Sequence, residues 1–183
     1  EMRNVAINDS FEPGSTVKPL VIIEGLRRHI ITSHTLLDTT PFSINGHLIK
    51  DVGNWPRLTP TGILQKASDI GVYHIALAMP AEALVDIYQR FGLGKPTELG
   101  LSGESVGYFP LHRQKWRDIE RATFSFGYGL RATPLQIAHV YATLGAYGIN
   151  RPLSITRVTP PVNGDRVADS TTVNTVLHMM ESD

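Results

Sequence analysis

The sequence predicts an α+β fold in which helices predominate, and three observations carry that reading. Apolar residues recur at helical spacing behind Thr133-Pro134, at Ile137, Val140, Tyr141 and Leu144. A dense apolar run, Val17, Leu20, Val21, Ile23 and Leu26, suits a helix buried on most of its surface. Extended signals are few and short, limited to the neighbourhood of Asn45-Gly46 and to Pro152–Val158.

Each element has a local reason. Pro13-Gly14 is a turn signal, and a helix follows from Ser15 to about His29. Pro19 lies within its first turn, where the missing donor breaks no intrahelical bond. Residues 32 to 58 read as loop and short strands, with Ile44, Leu48 and Ile49 flanking the tight Asn45-Gly46 turn. A second helix starts at Thr59-Pro60 with Ile63, Leu64 and Ala67 on one side. It breaks near Ser68-Asp69 and resumes through Val72, Ile75, Ala76 and Ala78. Pro80 opens a further helix carrying Leu84, Ile87 and Tyr88, and Gly92 ends it. Residues 92 to 115, rich in Gly and Pro, read as an extended connection. Gly148 stops the helix that begins at Thr133, Pro152–Val158 alternates as an edge strand, and Ser170 caps a last helix.

Composition narrows the function classes. The 183 residues make one ordinary domain or a piece of a larger one, and 42% hydrophobic residues are enough for a core. Seventeen basic and seventeen acidic side chains are interspersed, which argues against a nucleic-acid binder or a polybasic lipid-binding segment. No stretch approaches the roughly 20 apolar residues of a membrane span. The chain has no cysteine, so thiol nucleophiles, disulfides and thiolate metal sites are excluded. The seven histidines, at 29, 34, 47, 74, 112, 139 and 178, show no metal-ligand spacing, and no metal or organic cofactor is expected. Trp55 and Trp116 read as core-edge residues.

The chemistry-bearing segment is Glu12-Pro13-Gly14-Ser15-Thr16-Val17-Lys18. A serine three residues before a lysine at a helix start puts both side chains on one face. The helix N-terminus favours negative charge on the serine oxygen, and a lysine in a dry pocket can be neutral and accept the hydroxyl proton. That is the Ser-x-x-Lys arrangement of histidine-free acyl transfer. The pattern alone equally fits a serine N-cap with a solvated lysine. Glu12 either tunes the site or is a solvated loop carboxylate.

Context makes the segment recognisable. Phe11–Pro19 resembles the active-site segment of class B penicillin-binding proteins, and the likeness runs on through Ile44–His47, Ile49–Val52, Leu64–Lys66 and Ala76–Pro80. It continues through Arg90–Lys95, Ile119–Leu130, Tyr147–Ile149, Arg151–Ile155 and His178–Ser182. The chain is similar above all to the division-specific (septal) penicillin-binding protein 3 family of enteric bacteria. The resemblance implies the serine β-lactamase/transpeptidase-like fold, present mainly as its helical part. The central sheet and the Lys-Thr/Ser-Gly strand would lie largely outside these residues, leaving 1–183 a partial transpeptidase domain that is inactive by itself.

The family's activity is D,D-transpeptidation at the D-Ala-D-Ala end of a peptidoglycan stem peptide, in septal wall synthesis, and β-lactams acylate the same serine. The resemblance therefore implies Ser15 as nucleophile, Lys18 as general base and the Ser15 backbone N–H as one oxyanion donor. It also implies a periplasmic location, an inner-membrane anchor outside this chain, and membrane proteins of the division machinery as partners. It places Tyr128-Gly129 inside the fold, beneath the cleft.

The family's second motif, Ser-x-Asn, is altered. Aligned through Gln65-Lys66 and Ile70-Gly71-Val72, it falls on Ala67-Ser68-Asp69; a shifted register, Ser68-Asp69-Ile70, recovers the serine but places isoleucine at the asparagine. Ala67 cannot relay a proton. Asp69 accepts when ionised and donates only when protonated, so acylation is expected to improve as pH falls. Two alternatives follow: a β-lactam-binding paralogue with altered or acid-favoured activity, and a division-machinery interaction module.

Overall fold

The computed structural model describes residues 9–96, 106–146, 148–150 and 165–181. A 3₁₀ turn, Gly14–Val17, leads directly into α1, Lys18–Arg27. Three short extended stretches follow, β1 (Leu37–Asp38), β2 (Phe42–Ile44) and β3 (His47–Ile49), then β4 (Arg57–Leu58). Helices α2 (Pro60–Lys66), α3 (Asp69–Leu77), α4 (Ala81–Arg90), α5 (Asp118–Ser125) and α6 (Pro134–Gly145) come next. The described chain closes with β5 (Ile149–Asn150), β6 (Asp165–Arg166) and α7 (Ser170–Glu181).

The fold is built around α1. Leu20, Val21, Ile22 and Ile23 are all completely buried, so the helix shows apolar surface on every side rather than along one stripe. Each such side chain stabilises the fold by about 1.5–3 kcal/mol relative to exposure. Helices α2, α3, α4 and α7 pack around it, and α5 covers α3. Pro19 takes the second position of α1, where it removes no intrahelical bond. One carboxylate survives in this apolar shell. Glu24, 1% exposed, accepts two bonds from Arg27 (2.8 and 2.6 Å) and one from Arg28 Nε (2.7 Å). Burial alone would raise its pKa, but the two guanidiniums outweigh that and hold it below the ordinary glutamate value.

The strands form three antiparallel two-stranded ladders among the described residues: β1 with β4, β2 with β3, and β5 with β6. In the β2–β3 hairpin, Ile44 pairs with His47 across Asn45 and Gly46, both at positive φ as the expected turn requires. The expected strand over 152–158 and the middle of the 92–115 connection, 97–105, lie outside the described residues.

The expected caps at Thr59 and Thr133 hold, whereas α7 is capped by Asp169 and not by Ser170: Asp169 Oδ2 accepts from Thr172 N at 3.0 Å. Thr59 accepts from Gly62 N at 3.2 Å, and Thr133 with Gln136 closes a reciprocal capping box at the start of α6. Periodicity marks no element over 116–132, whereas the structure has α5 there. Its N-cap is Arg117, which cannot accept from the backbone; instead Glu120 turns back to accept from Arg117 N at 3.0 Å. The placing of Tyr128 is also corrected. Phe126 is buried, but Tyr128 is 46% exposed, because the tight Gly127–Gly129 turn projects it outward. Trp116 packs on Phe124 at 5.1 Å, and Trp55 lies under the Lys66 ammonium at 5.5 Å.

No helix among the described residues is long and apolar enough to cross a membrane. Helices α3 and α4 reach that composition only together, are bent by 112° at their junction, and bury most of their apolar residues in the core.

Candidate active site

The segment leading to Ser15 is tied to residues 127–132 by backbone and side-chain hydrogen bonds. Phe11 N donates to Ala132 O and Ala132 N to Phe11 O, at 2.9 and 2.8 Å. Gly14 N then donates to Gly127 O at 3.0 Å. Gly127 sits at φ +93°, and a Cβ there would come 2.0 Å from Gly14 O, so only glycine allows this approach. Glu12 accepts from Gly129 N at 3.0 Å, which gives this carboxylate a positioning role in the same junction. The result is a rigid turn that presents an exposed Ser15. Its backbone N–H makes no hydrogen bond among the described residues.

Lys18 opens α1 one turn later and is 3% exposed. Its ammonium donates to Ala67 O at 2.8 Å and forms an ion pair with Asp69 Oδ1 at 2.6 Å. No hydrogen bond joins it to Ser15 Oγ among the described residues, yet both residues line one cleft of about 210 Å³. Gln65 and Ala67 face them there, and Leu64, Tyr141 and Met180 supply apolar wall. A buried cation, an exposed hydroxyl and a partly apolar lining are the parts an acyl-transfer site needs.

Three consecutive residues do three different jobs at the junction of α2 and α3. Ala67 takes a left-handed conformation (φ 51°, ψ 49°), and Ser68 N reaches back to Ile63 O at 2.9 Å, ending α2 as a Schellman turn. That turn aims the Ala67 carbonyl at Lys18. Ser68 is fully buried and faces away from the cleft: its Oγ accepts from Gly71 N (3.0 Å) and donates to Asp51 Oδ2 (2.5 Å). Asp69, the first residue of α3, keeps its carboxylate 37% exposed and paired with Lys18. Ile70, the next residue, is fully buried.

The structure thus brings together Lys18, Ala67 and Asp69, with Ser15 across the same cleft. It adds Asp51, whose Oδ1 also accepts from Ile70 N at 3.2 Å and which therefore fixes the first turn of α3 from 17 residues away. A serine before an apolar helix with glycine three residues on is a readable N-cap signal for Ser68. Asp51 carries no comparable local signal. Among the described residues, no group of three or more His, Asp or Glu side chains could hold a metal ion.

Residues 1–183 match the penicillin-binding protein transpeptidase domain over the whole chain. The chain belongs to this family. It is 61% identical over 181 residues to the peptidoglycan D,D-transpeptidase FtsI of Escherichia coli K12, covering 99% of this chain and 31% of that protein. It is 50% identical to the FtsI protein of Buchnera aphidicola (Schizaphis graminum), covering 99% and 32%. A crystal structure of a peptidoglycan glycosyltransferase from Burkholderia ambifaria superposes with a TM-score of 0.90 at 35% identity, over 98% of this chain and 58% of that one. The transpeptidase-like fold and its helix-rich share are therefore as expected. The chain spans about a third of the curated relatives it matches.

Proposed function

We propose that these residues are part of a periplasmic D,D-transpeptidase domain in which Ser15 is the acylated nucleophile. The observation that carries this is the cleft itself, where the exposed Ser15 and the buried, oriented Lys18 meet. Ser15 Oγ attacks the carbonyl of a D-Ala-D-Ala amide while Lys18 takes its proton, and the free Ser15 N–H supports the developing oxyanion. Release of D-Ala leaves an acyl-enzyme, which a neighbouring stem-peptide amine resolves. β-Lactams would stop at that stage. On this reading the domain serves septal wall synthesis, with an inner-membrane anchor and division proteins as partners; the D,D-transpeptidase activity is what the names of the relatives support.

A second reading, a β-lactam-binding paralogue with weak turnover, draws on Ala67, which offers no hydroxyl at the cleft, and on Asp69, which is committed to Lys18. A third, an interaction module without catalysis, needs no working Ser15. Labelling the whole protein with a fluorescent penicillin separates these. Covalent label in the native protein and none in Ser15→Ala is expected; no label in the native protein would leave only the interaction module. Turnover of a D-Ala-D-Ala pentapeptide then divides the first reading from the second.

A further inference from the structure

The Lys18 ammonium has two acceptors among the described residues, and only one of them can take a proton. Ala67 O is a backbone carbonyl, and the Ala67 side chain at the cleft is a methyl. Asp69 Oδ1, 2.6 Å away, is a carboxylate held by the first turn of α3 and by the Asp51–Ser68 bonds behind it. The geometry points to Asp69 as the proton partner of Lys18: the carboxylate stores the ammonium proton while the freed amine acts as base on Ser15. This inference rests on the acyl-transfer reading above.

The protons balance through the step. In the resting pair the nitrogen is an ammonium and Asp69 a carboxylate. One N–H proton crosses to Oδ1, leaving a neutral amine and a carboxylic acid with no change in the pair's proton count. The amine takes the Ser15 hydroxyl proton as Oγ bonds to the substrate carbonyl carbon. The resulting ammonium protonates the leaving nitrogen as the carbon–nitrogen bond breaks, and the acid returns its proton to the amine. Asp69 acts only through Lys18 and is a positioning and proton-holding residue, not one that touches substrate.

Because the resting and competent forms carry the same number of protons, acylation becomes insensitive to pH while the pair holds one proton; with Asp69 turned to Lys18, this replaces the acid-favoured acylation expected of an Asp69 that faces substrate. A lysine without such a partner must lose its proton to solvent, and its rate falls about tenfold per pH unit toward acid. Apart from Tyr141, which lines the same cleft, the other ionisable groups on the surrounding elements are engaged elsewhere or exposed. Asp51 binds Ser68 and Ile70, Glu24 binds Arg27 and Arg28, Glu12 binds Gly129, and Lys66 lies over Trp55. His74 packs on Phe42, His178 and Glu181 on α7 are exposed, and Tyr141 lines the cleft.

The test is the second-order rate of acylation of the whole protein by a fluorescent penicillin, from mildly acidic to neutral pH, for native, Asp69→Asn and Asp69→Glu forms. The native rate is expected to vary by less than about threefold, Asp69→Asn to fall about tenfold per pH unit toward acid, and Asp69→Glu to regain the flat profile. Native and Asp69→Asn profiles that run parallel overturn the inference. So does a native rate that climbs tenfold per unit in either direction, a result that needs no variant to fold. Absence of label at every pH, or label that survives Ser15→Ala, removes instead the acyl-transfer reading on which the inference stands.

Discussion

Asp51→Ala tests the support behind the cleft. Asp51 accepts two hydrogen bonds, from Ser68 Oγ at 2.5 Å and Ile70 N at 3.2 Å, and both donors lie in the first turn of α3. Removing the carboxylate leaves a fully buried hydroxyl proton and a helix-start N–H without acceptors. A charge-assisted bond is worth about 1.5–3 kcal/mol, and a lost helix-start acceptor about 1 kcal/mol. The sum is about 2–4 kcal/mol, because Ser68 Oγ still accepts from Gly71 N and holds part of the cap. In urea unfolding of the whole protein the midpoint should fall with the slope unchanged, which separates lost stability from a changed denatured state. The Ala67 carbonyl and Asp69 are carried on the same turn, so penicillin acylation should slow as well. Unchanged stability together with unchanged acylation would refute the claim that Asp51 holds the α2–α3 junction in place.

Two further expectations concern the frame around Ser15 and α1. Gly127→Ala must open the contact with Gly14 O or abandon φ +93°; a loss of about 2–4 kcal/mol and slower acylation are expected, and a native-like melting curve would show that the turn relaxes freely. Glu24 has a folded-state pKa below its ordinary value, so its contribution to stability is full above that ordinary value and is lost as pH falls through the lowered one. Glu24→Gln should reduce stability at neutral pH by about 1–3 kcal/mol and flatten the acid limb of the stability curve. An acid limb identical to that of the native protein would count against it.

The helices were legible because their causes are local. Thr59-Pro60 and Thr133-Pro134 carry both the capping oxygen and the proline in adjacent residues, and α1 declares its burial by being apolar on every face. Helix α5 was not legible, since an arginine stands at its N-cap and Glu120 supplies the bond by turning back three residues. The outward face of Tyr128 is not legible for a related reason: the glycine turn on either side of it decides which way it faces, and that turn is set by Gly14.

The sequence by itself determined that Ser15 and Lys18 lie one turn apart at the mouth of a buried helix, because i and i+3 residues share a face wherever the helix goes. It also put a methyl and a carboxylate, Ala67 and Asp69, at the positions where the resemblance leads one to expect serine and asparagine. Only the tertiary structure decided what that carboxylate does. Lys18 and Asp69 are 51 positions apart, and their 2.6 Å contact exists because α3 packs on α1. The left-handed Ala67 and the distant Asp51 then fix the turn between them. An ion pair of that kind has no local sequence signature, since its energy depends on a separation that packing alone sets.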